Sequence, residues 1–262
     1  MRGRDREPSA GVVCALSVLA AALWGCGQDQ SLGGQADPEE RPPAGDKHLC
    51  SGGAELEMID DMEDNHPAIL ENGARSGNWF AFNDLTPGGE QTPRTNVQRF
   101  PMLELKPPRQ GSAYGVGSDG HGFQRWGAGV GFEFNAQKPY DASPYVGISF
   151  WAKRAPGATP QLRFDVTDLN TSPFGDVCNL ETTCDDHGGC MVERQCDDYF
   201  GADLELEEDW TYYEFSWAEL VQAGWSGVKY DAISDTIFGI RFQVEPNLQF
   251  DFIVDDIAFV CP

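Results

Sequence analysis

Period-two alternation of apolar residues recurs through the chain, and it restricts the fold more than any other feature. Val130, Phe132 and Phe134 alternate with small or polar residues in one segment, Ile148, Phe150 and Ala152 in a second, and Leu162, Phe164 and Val166 in a third. Leu204 and Leu206, then Tyr213, Phe215 and Trp217, then Ile240, Phe242 and Val244, and finally Ile253, Ile257 and Phe259 continue the pattern. A strand with one apolar face must cover that face with another layer. Many short strands separated by turn residues therefore predict an all-β sandwich or barrel. The 30 Gly and 17 Pro among 262 residues supply those turns. One short helix is expected, started by the Ser216 and Glu219 capping-box pattern and stopped by Gly224. No internal repeat is evident.

The charge balance narrows the partners. With 42 Asp and Glu against 18 Lys and Arg, the formal net charge is -24. Such a chain repels phosphate backbones and anionic lipid, which disfavours nucleic acid and polybasic membrane docking. The first 25 residues read as an address. Arg2, Arg4 and Arg6 precede an apolar run from Ala10 to Leu23, too short to span a membrane and suited to a signal-peptide core. Leu23-Trp24-Gly25-Cys26 then resembles a bacterial lipobox, with Trp24 where a small residue is usual. The resemblance implies lipidation at Cys26, and Gly27 resembles the sorting signal of lipoproteins sent to the outer membrane. Residues 26–49, poor in bulky apolar side chains, form an expected flexible tether. The expected organisation is a leader over 1–25, the lipidated tether over 26–49 and one folded domain over 50–262.

The cysteines fit an exported protein. Setting aside Cys14 in the leader and Cys26 leaves an even six: Cys50, Cys178, Cys184, Cys190, Cys196 and Cys261. Disulfides are the leading reading. Cys50 and Cys261 bracket the domain, so pairing them would clip its first and last segments together. The other four recur at every sixth residue, and three connectivities among them stay open. A zinc site is the competing reading, because Asp185, Asp186, His187, Asp197 and Asp198 lie among these cysteines. Zinc ligands are usually spaced more closely than this.

Two motifs carry a resemblance. Ile59-Asp60-Asp61-Met62-Glu63-Asp64 and Phe252-Ile253-Val254-Asp255-Asp256-Ile257 resemble the first and last strands of jelly-roll carbohydrate-binding modules with a galactose-binding-like fold. The resemblance is to family 11, a β-glucan-binding group, and to bacterial lipoproteins carrying such a module. Arg75-Ser76-Gly77-Asn78-Trp79-Phe80-Ala81-Phe82-Asn83-Asp84 and Trp126-Gly127-Ala128-Gly129-Val130-Gly131-Phe132 are similar to stretches in those lipoproteins. The likeness spans residues 55–260, and the Cys178 to Cys196 insertion departs from it. It implies a jelly-roll β-sandwich with a disulfide-rich loop, and a structural Ca²⁺ where the first strand meets the last. Calcium takes six to eight oxygen ligands. By resemblance Glu63 and Asp255 are the best ligands, Asp61 is next because it projects to the same side as Glu63, and Asp256 is weaker. The competing reading is that these are ordinary surface acids.

A sugar is held by flat rings against its C–H faces and by polar groups on its hydroxyls, so a binding face should alternate out of phase with the core. Opposite the core positions lie Ser149, Trp151 and Lys153, then Arg163, Asp165 and Thr167, then Arg241, Gln243 and Glu245. These strands are expected to present Trp151, Arg163, Asp165, Arg241 and Gln243 on one sheet face, with Trp79, Asn83, Asp84, His121 and Trp126 added from loops. Trp210, Trp217 and Trp225 are assigned to core or helix packing. The bland alternative for any one of these tryptophans is the core.

No Gly-x-Ser-x-Gly elbow, His-Glu-x-x-His helix or Gly-rich phosphate loop is present. A glycoside hydrolase or polysaccharide lyase is the lesser reading, since jelly rolls host such chemistry. The expected function is a noncatalytic, surface-anchored, monomeric module that binds a polysaccharide, a β-glucan in the first instance, and touches membrane only through its lipid. An envelope protein mediating protein interactions is the alternative, and would need an exposed apolar patch.

Overall fold

The computed structural model describes residues 50, 53–178, 180–184, 190–233 and 235–262. The expectations for the leader, for Cys26 and for the tether lie outside the described residues. In chain order the strands are β1 (Leu56–Asp60), β2 (Trp79–Asn83), β3 (Glu90–Thr92), β4 (Leu103–Arg109), β5 (Ser112–His121), β6 (Ala128–Glu133), β7 (Tyr140–Asp141) and β8 (Gly147–Arg154). They continue with β9 (Gln161–Asp168), β10 (Leu180–Cys184), β11 (Cys190–Arg194), β12 (Phe200–Glu205), β13 (Thr211–Ser216), β14 (Val221–Gln222), β15 (Thr236–Val244) and β16 (Phe250–Val260).

Fourteen of these strands form two antiparallel sheets, and β10 and β11 pair only with each other. Sheet I runs β13-β8-β16-β5-β3, with β1 beside β16 and β4 beside β5; sheet II runs β14-β12-β9-β15-β6-β2, with β7 beside β15. The chain is a jelly-roll β-sandwich, as the resemblance implies and the alternation allows: each inward set of side chains finds the opposite sheet. Phe150 of sheet I sits between Phe164 and Phe242 of sheet II, with ring centroids 5.0 Å away from each. All three are fully buried. Emptying this point by Phe150→Ala costs about 3–5 kcal/mol through lost burial and the residual cavity.

The ends of the domain are clipped together by a disulfide between Cys50 and Cys261. A second disulfide joins Cys178 to Cys196 at the base of the β10–β11 hairpin. Cys184 and Cys190 are register partners across that hairpin. The expected helix after Ser216 is one turn of 3-10 helix, Trp217–Glu219. Glu219 Oε2 accepts from the backbone N and Oγ of Ser216 at 2.8 and 2.7 Å. The chain then returns to extended structure in β14, because edge pairing of Val221 with Gly201 takes the backbone groups that a longer helix needs.

Candidate functional site

Register sets two rows of side chains across the outer face of sheet II. One row reads Gly201, Asp165, Arg241, Gly131 and Phe80; the next reads Asp203, Arg163, Gln243, Gly129 and Phe82. The rows are polar in the middle and aromatic at the β2 edge. Two glycines keep the floor low: a Cβ on Gly131 would fall 2.4 Å from Ile240 O, and one on Gly201 2.3 Å from Asp165 Oδ1. Above this floor is a cleft of about 500 Å³ whose walls include Trp126, Tyr199, Trp225 and Glu245.

The two tryptophans are held out of the core by the same device. Asp84 is buried, and its carboxylate accepts the N–H groups of Thr86 at 2.9 Å, Arg125 at 2.8 Å, Trp126 at 3.1 Å and Gly127 at 3.1 Å. Burial alone would raise its pKa, but these donors hold it well below the usual carboxylate range. Trp126, on the loop so pinned, is 42% exposed and stacks on Phe82 at 6.1 Å. On the β14 edge, buried Asp198 accepts from Gly224 N at 3.1 Å and Ser226 N at 3.2 Å. Trp225 lies between them and is 56% exposed. Each ring is thus offered to solvent by a turn that a buried carboxylate closes.

The two arginines of the floor differ. Arg163 donates to Asp165 Oδ1 and Asp203 Oδ1 at 2.9 Å each, to Val221 O at 2.9 Å and to Tyr199 O at 3.3 Å. Its donors are committed to tying β9, β12 and β14 together. Arg241 instead sets its guanidinium carbon over aromatic rings, 4.7 Å from the Tyr199 centroid and 5.4 Å from that of Phe82. Its side chain makes no hydrogen bond among the described residues, so its donor fork remains for a ligand. Burial pushes Asp165 up to about 6 against the pull of Arg163 and Arg241. Gln243 donates to Trp126 O at 2.8 Å and joins the floor to the wall.

Of the residues expected at a sugar face, Arg163, Asp165, Arg241, Gln243 and Trp126 come together here. Trp151, Trp79, Asp84, Asn83 and His121 do not. Trp151 lies in β8, on the outer face of sheet I, because the Greek-key path puts β8 and β9 in different layers. Trp79 is in the core, donating through Nε1 to Asp60 Oδ2 at 2.7 Å. Asp84 acts through its loop. Asn83 donates to Gln91 Oε1 at 3.0 Å and lines a separate cleft of about 520 Å³ at the sandwich edge, near His121 and without an indole or phenol ring. Trp225, assigned above to packing, and Tyr199 are the residues that sequence reasoning missed. The run Ala223-Gly224-Trp225-Ser226-Gly227 has turn composition, which is a poor setting for a core tryptophan.

The acids expected to hold calcium are partly gathered. Glu63 Oε1 accepts from Ser112 Oγ at 3.0 Å, Ala113 N at 2.8 Å and Tyr114 N at 3.0 Å, which ties it to the start of β5. Asp255 is buried and takes Arg109 Nε at 2.8 Å on Oδ2 and Asp256 N at 2.9 Å on Oδ1. Asp61 turns to its own loop, accepting from Glu63 N at 3.3 Å. Both oxygens of Asp255 and Oε1 of Glu63 are engaged, and a guanidinium already neutralises Asp255, so the set does not fit a calcium ion, which needs six to eight oxygen ligands.

No family model and no curated protein matches the chain. Solved structures do. The solution structure of CtCBM11 is 16% identical, with a TM-score of 0.50 over 81% of this chain and 98% of that one. A family 11 carbohydrate-binding module of a cellulosomal cellulase of Clostridium thermocellum is 15% identical, with a TM-score of 0.45 over 80% and 97%. A structure described as an exo-β-agarase is 13% identical, with a TM-score of 0.43 over 78% of this chain and 25% of its own. The chain has the fold of the family 11 modules.

Proposed function

We propose that this domain binds a polysaccharide without cleaving it, in the cleft on the outer face of sheet II. The observation that carries the reading is the pairing of two outward-held tryptophans, Trp126 and Trp225, with a polar floor that includes the uncommitted fork of Arg241. Rings offer flat apolar surface to the C–H faces of a sugar, and the floor offers donors and acceptors to its hydroxyls. The motif resemblance to family 11 supports a β-glucan as the ligand. The leader and Cys26 support export and lipid anchoring in the envelope, at the outer membrane in a Gram-negative host.

Affinity electrophoresis against soluble glucans, xylans and mannans tests the binding. Retardation by a β-glucan, lost in Trp126→Ala and Trp225→Ala, is expected, with no new reducing ends after prolonged incubation. A folded protein retarded by no glycan would sink the reading and favour an envelope protein whose ligand is another protein. Radiolabelled palmitate should enter the wild type and not Cys26→Ala.

A further inference from the structure

Arg109 closes β4, and its guanidinium is buried where the β4–β5 hairpin meets β16. Nε donates to Asp255 and Nη2 pairs with Asp256, so one planar cation joins two neighbouring acids. Its flat faces are covered as well: the guanidinium carbon lies 4.8 Å from the Trp151 ring centroid and 5.6 Å from that of Trp210. Three residues further on, Ser112 and the backbone after it bind Glu63. A single junction therefore ties three remote stretches: the turn after β1, the β4–β5 hairpin, and the point where β16 slips register against β8. Adjacent carboxylates in a buried setting repel each other and need a positive charge between them.

We propose that Arg109 is that charge, a cation built into the chain that holds the junction as a bound calcium ion holds a cluster of acids, leaving the fold independent of divalent metal. The inference is separate from the glycan reading and does not need it. A guanidinium suits the place for physical reasons: it cannot lose its proton, its fork matches two carboxylates, and it tolerates ring faces that a hydrated metal ion would not.

Thermal unfolding of the purified protein decides the matter. The melting temperature should be the same after EDTA treatment and in millimolar calcium chloride. A rise with calcium, or a fall with EDTA, would overturn the proposal. Arg109→Gln leaves buried Asp255 and half-buried Asp256 unpaired and should melt about 10 °C lower. Arg109→Lys, which keeps the charge but loses the fork, should fall between. Wild-type melting by Arg109→Gln would equally overturn the proposal, and if that variant does not fold, the chelation measurement and Arg109→Lys still decide it.

Discussion

Replacing Asp84 should separate the role of a buried carboxylate from that of the ring it positions. The wild-type side chain accepts four backbone N–H groups, three of them on Oδ2 from the turn that carries Trp126. Asp84→Ala leaves those donors without an acceptor. At about 1–3 kcal/mol for each buried donor stranded, and with losses in one turn adding less than fully, the expected destabilisation is about 4 kcal/mol. Asp84→Asn is the sharper variant, because it keeps the volume but has a single acceptor oxygen. Whichever way its amide turns, an NH₂ group meets N–H donors, and about 2 kcal/mol or more should be lost. Since the donors hold the wild-type carboxyl below the usual range, its contribution is fully present above the unfolded value of 3.8 and is lost only as pH falls below that. Denaturant titration should therefore find the same deficit at pH 5 and pH 8, with an unchanged slope. Glycan affinity should drop about tenfold, about 1.4 kcal/mol, as Trp126 leaves its stack on Phe82. Wild-type stability and affinity in Asp84→Asn would refute the reasoning.

Three further outcomes are expected. Trp126→Ala and Trp225→Ala should each weaken glycan binding about tenfold, whereas Trp151→Ala should leave affinity within about twofold and lower the melting temperature by a few degrees, since its ring covers Arg109. Burial pushes Asp60 up to about 8 and Asp165 and Asp255 up to about 6. Each then keeps a proton in the fold that the unfolded chain releases near 3.8, so their stabilisation is present below that pH and is lost as pH rises through 6 and 8. Melting temperature should fall from pH 5 to pH 8.5, and Asp60→Asn, a neutral acceptor for Trp79, should flatten the upper part of that fall. Non-reducing peptide mapping should recover Cys184 bonded to Cys190, whose register pairing brings their Cα atoms within disulfide range; Cys178→Ser should weaken glycan binding by loosening Asp197 and Asp198 beside Cys196.

The sequence shows which side of a strand is wet more readily than which sheet the strand joins. Alternation separated Arg163, Asp165, Arg241 and Gln243 from the core because burial follows side-chain parity. Parity is silent on layer, and a sandwich has two outer faces. Trp151 has the right phase and the wrong layer: β8 pairs with β13 and β16, while β9 pairs with β12 and β15. The same limit hid Asn83, which ends a strand of sheet II yet bonds to Gln91 of sheet I. Trp225 was obscured for another reason. Its exposure depends on Asp198, twenty-seven residues earlier, closing the turn around it. A hydrogen bond over that separation leaves no periodic trace in the sequence.

Counting rings does not distinguish the two outer faces either. Sheet I carries Trp151, Trp210 and Tyr212, and Trp151 and Tyr212 lie 5.4 Å apart. These rings already have partners. Arg109 lies against Trp151 and Trp210, Lys153 Nζ is 5.1 Å from Trp210, and the Tyr212 hydroxyl donates to Glu214 at 2.8 Å. A ligand approaching that face must displace a cation that also neutralises Asp255 and Asp256, and so must break the junction. On sheet II the arrangement is reversed. Arg163 takes up Asp165 and Asp203, which leaves the Arg241 guanidinium beside the Phe82 and Tyr199 rings with its donors unspent, and Trp126 and Trp225 are exposed on turns that buried carboxylates close. An arginine held against two aromatic rings with its donors unspent is restricted in position before a ligand arrives, so less side-chain entropy is lost when hydroxyls reach it. Preorganised, unspent donors on one outer face of the sandwich are what favour it as the proposed binding surface over the other.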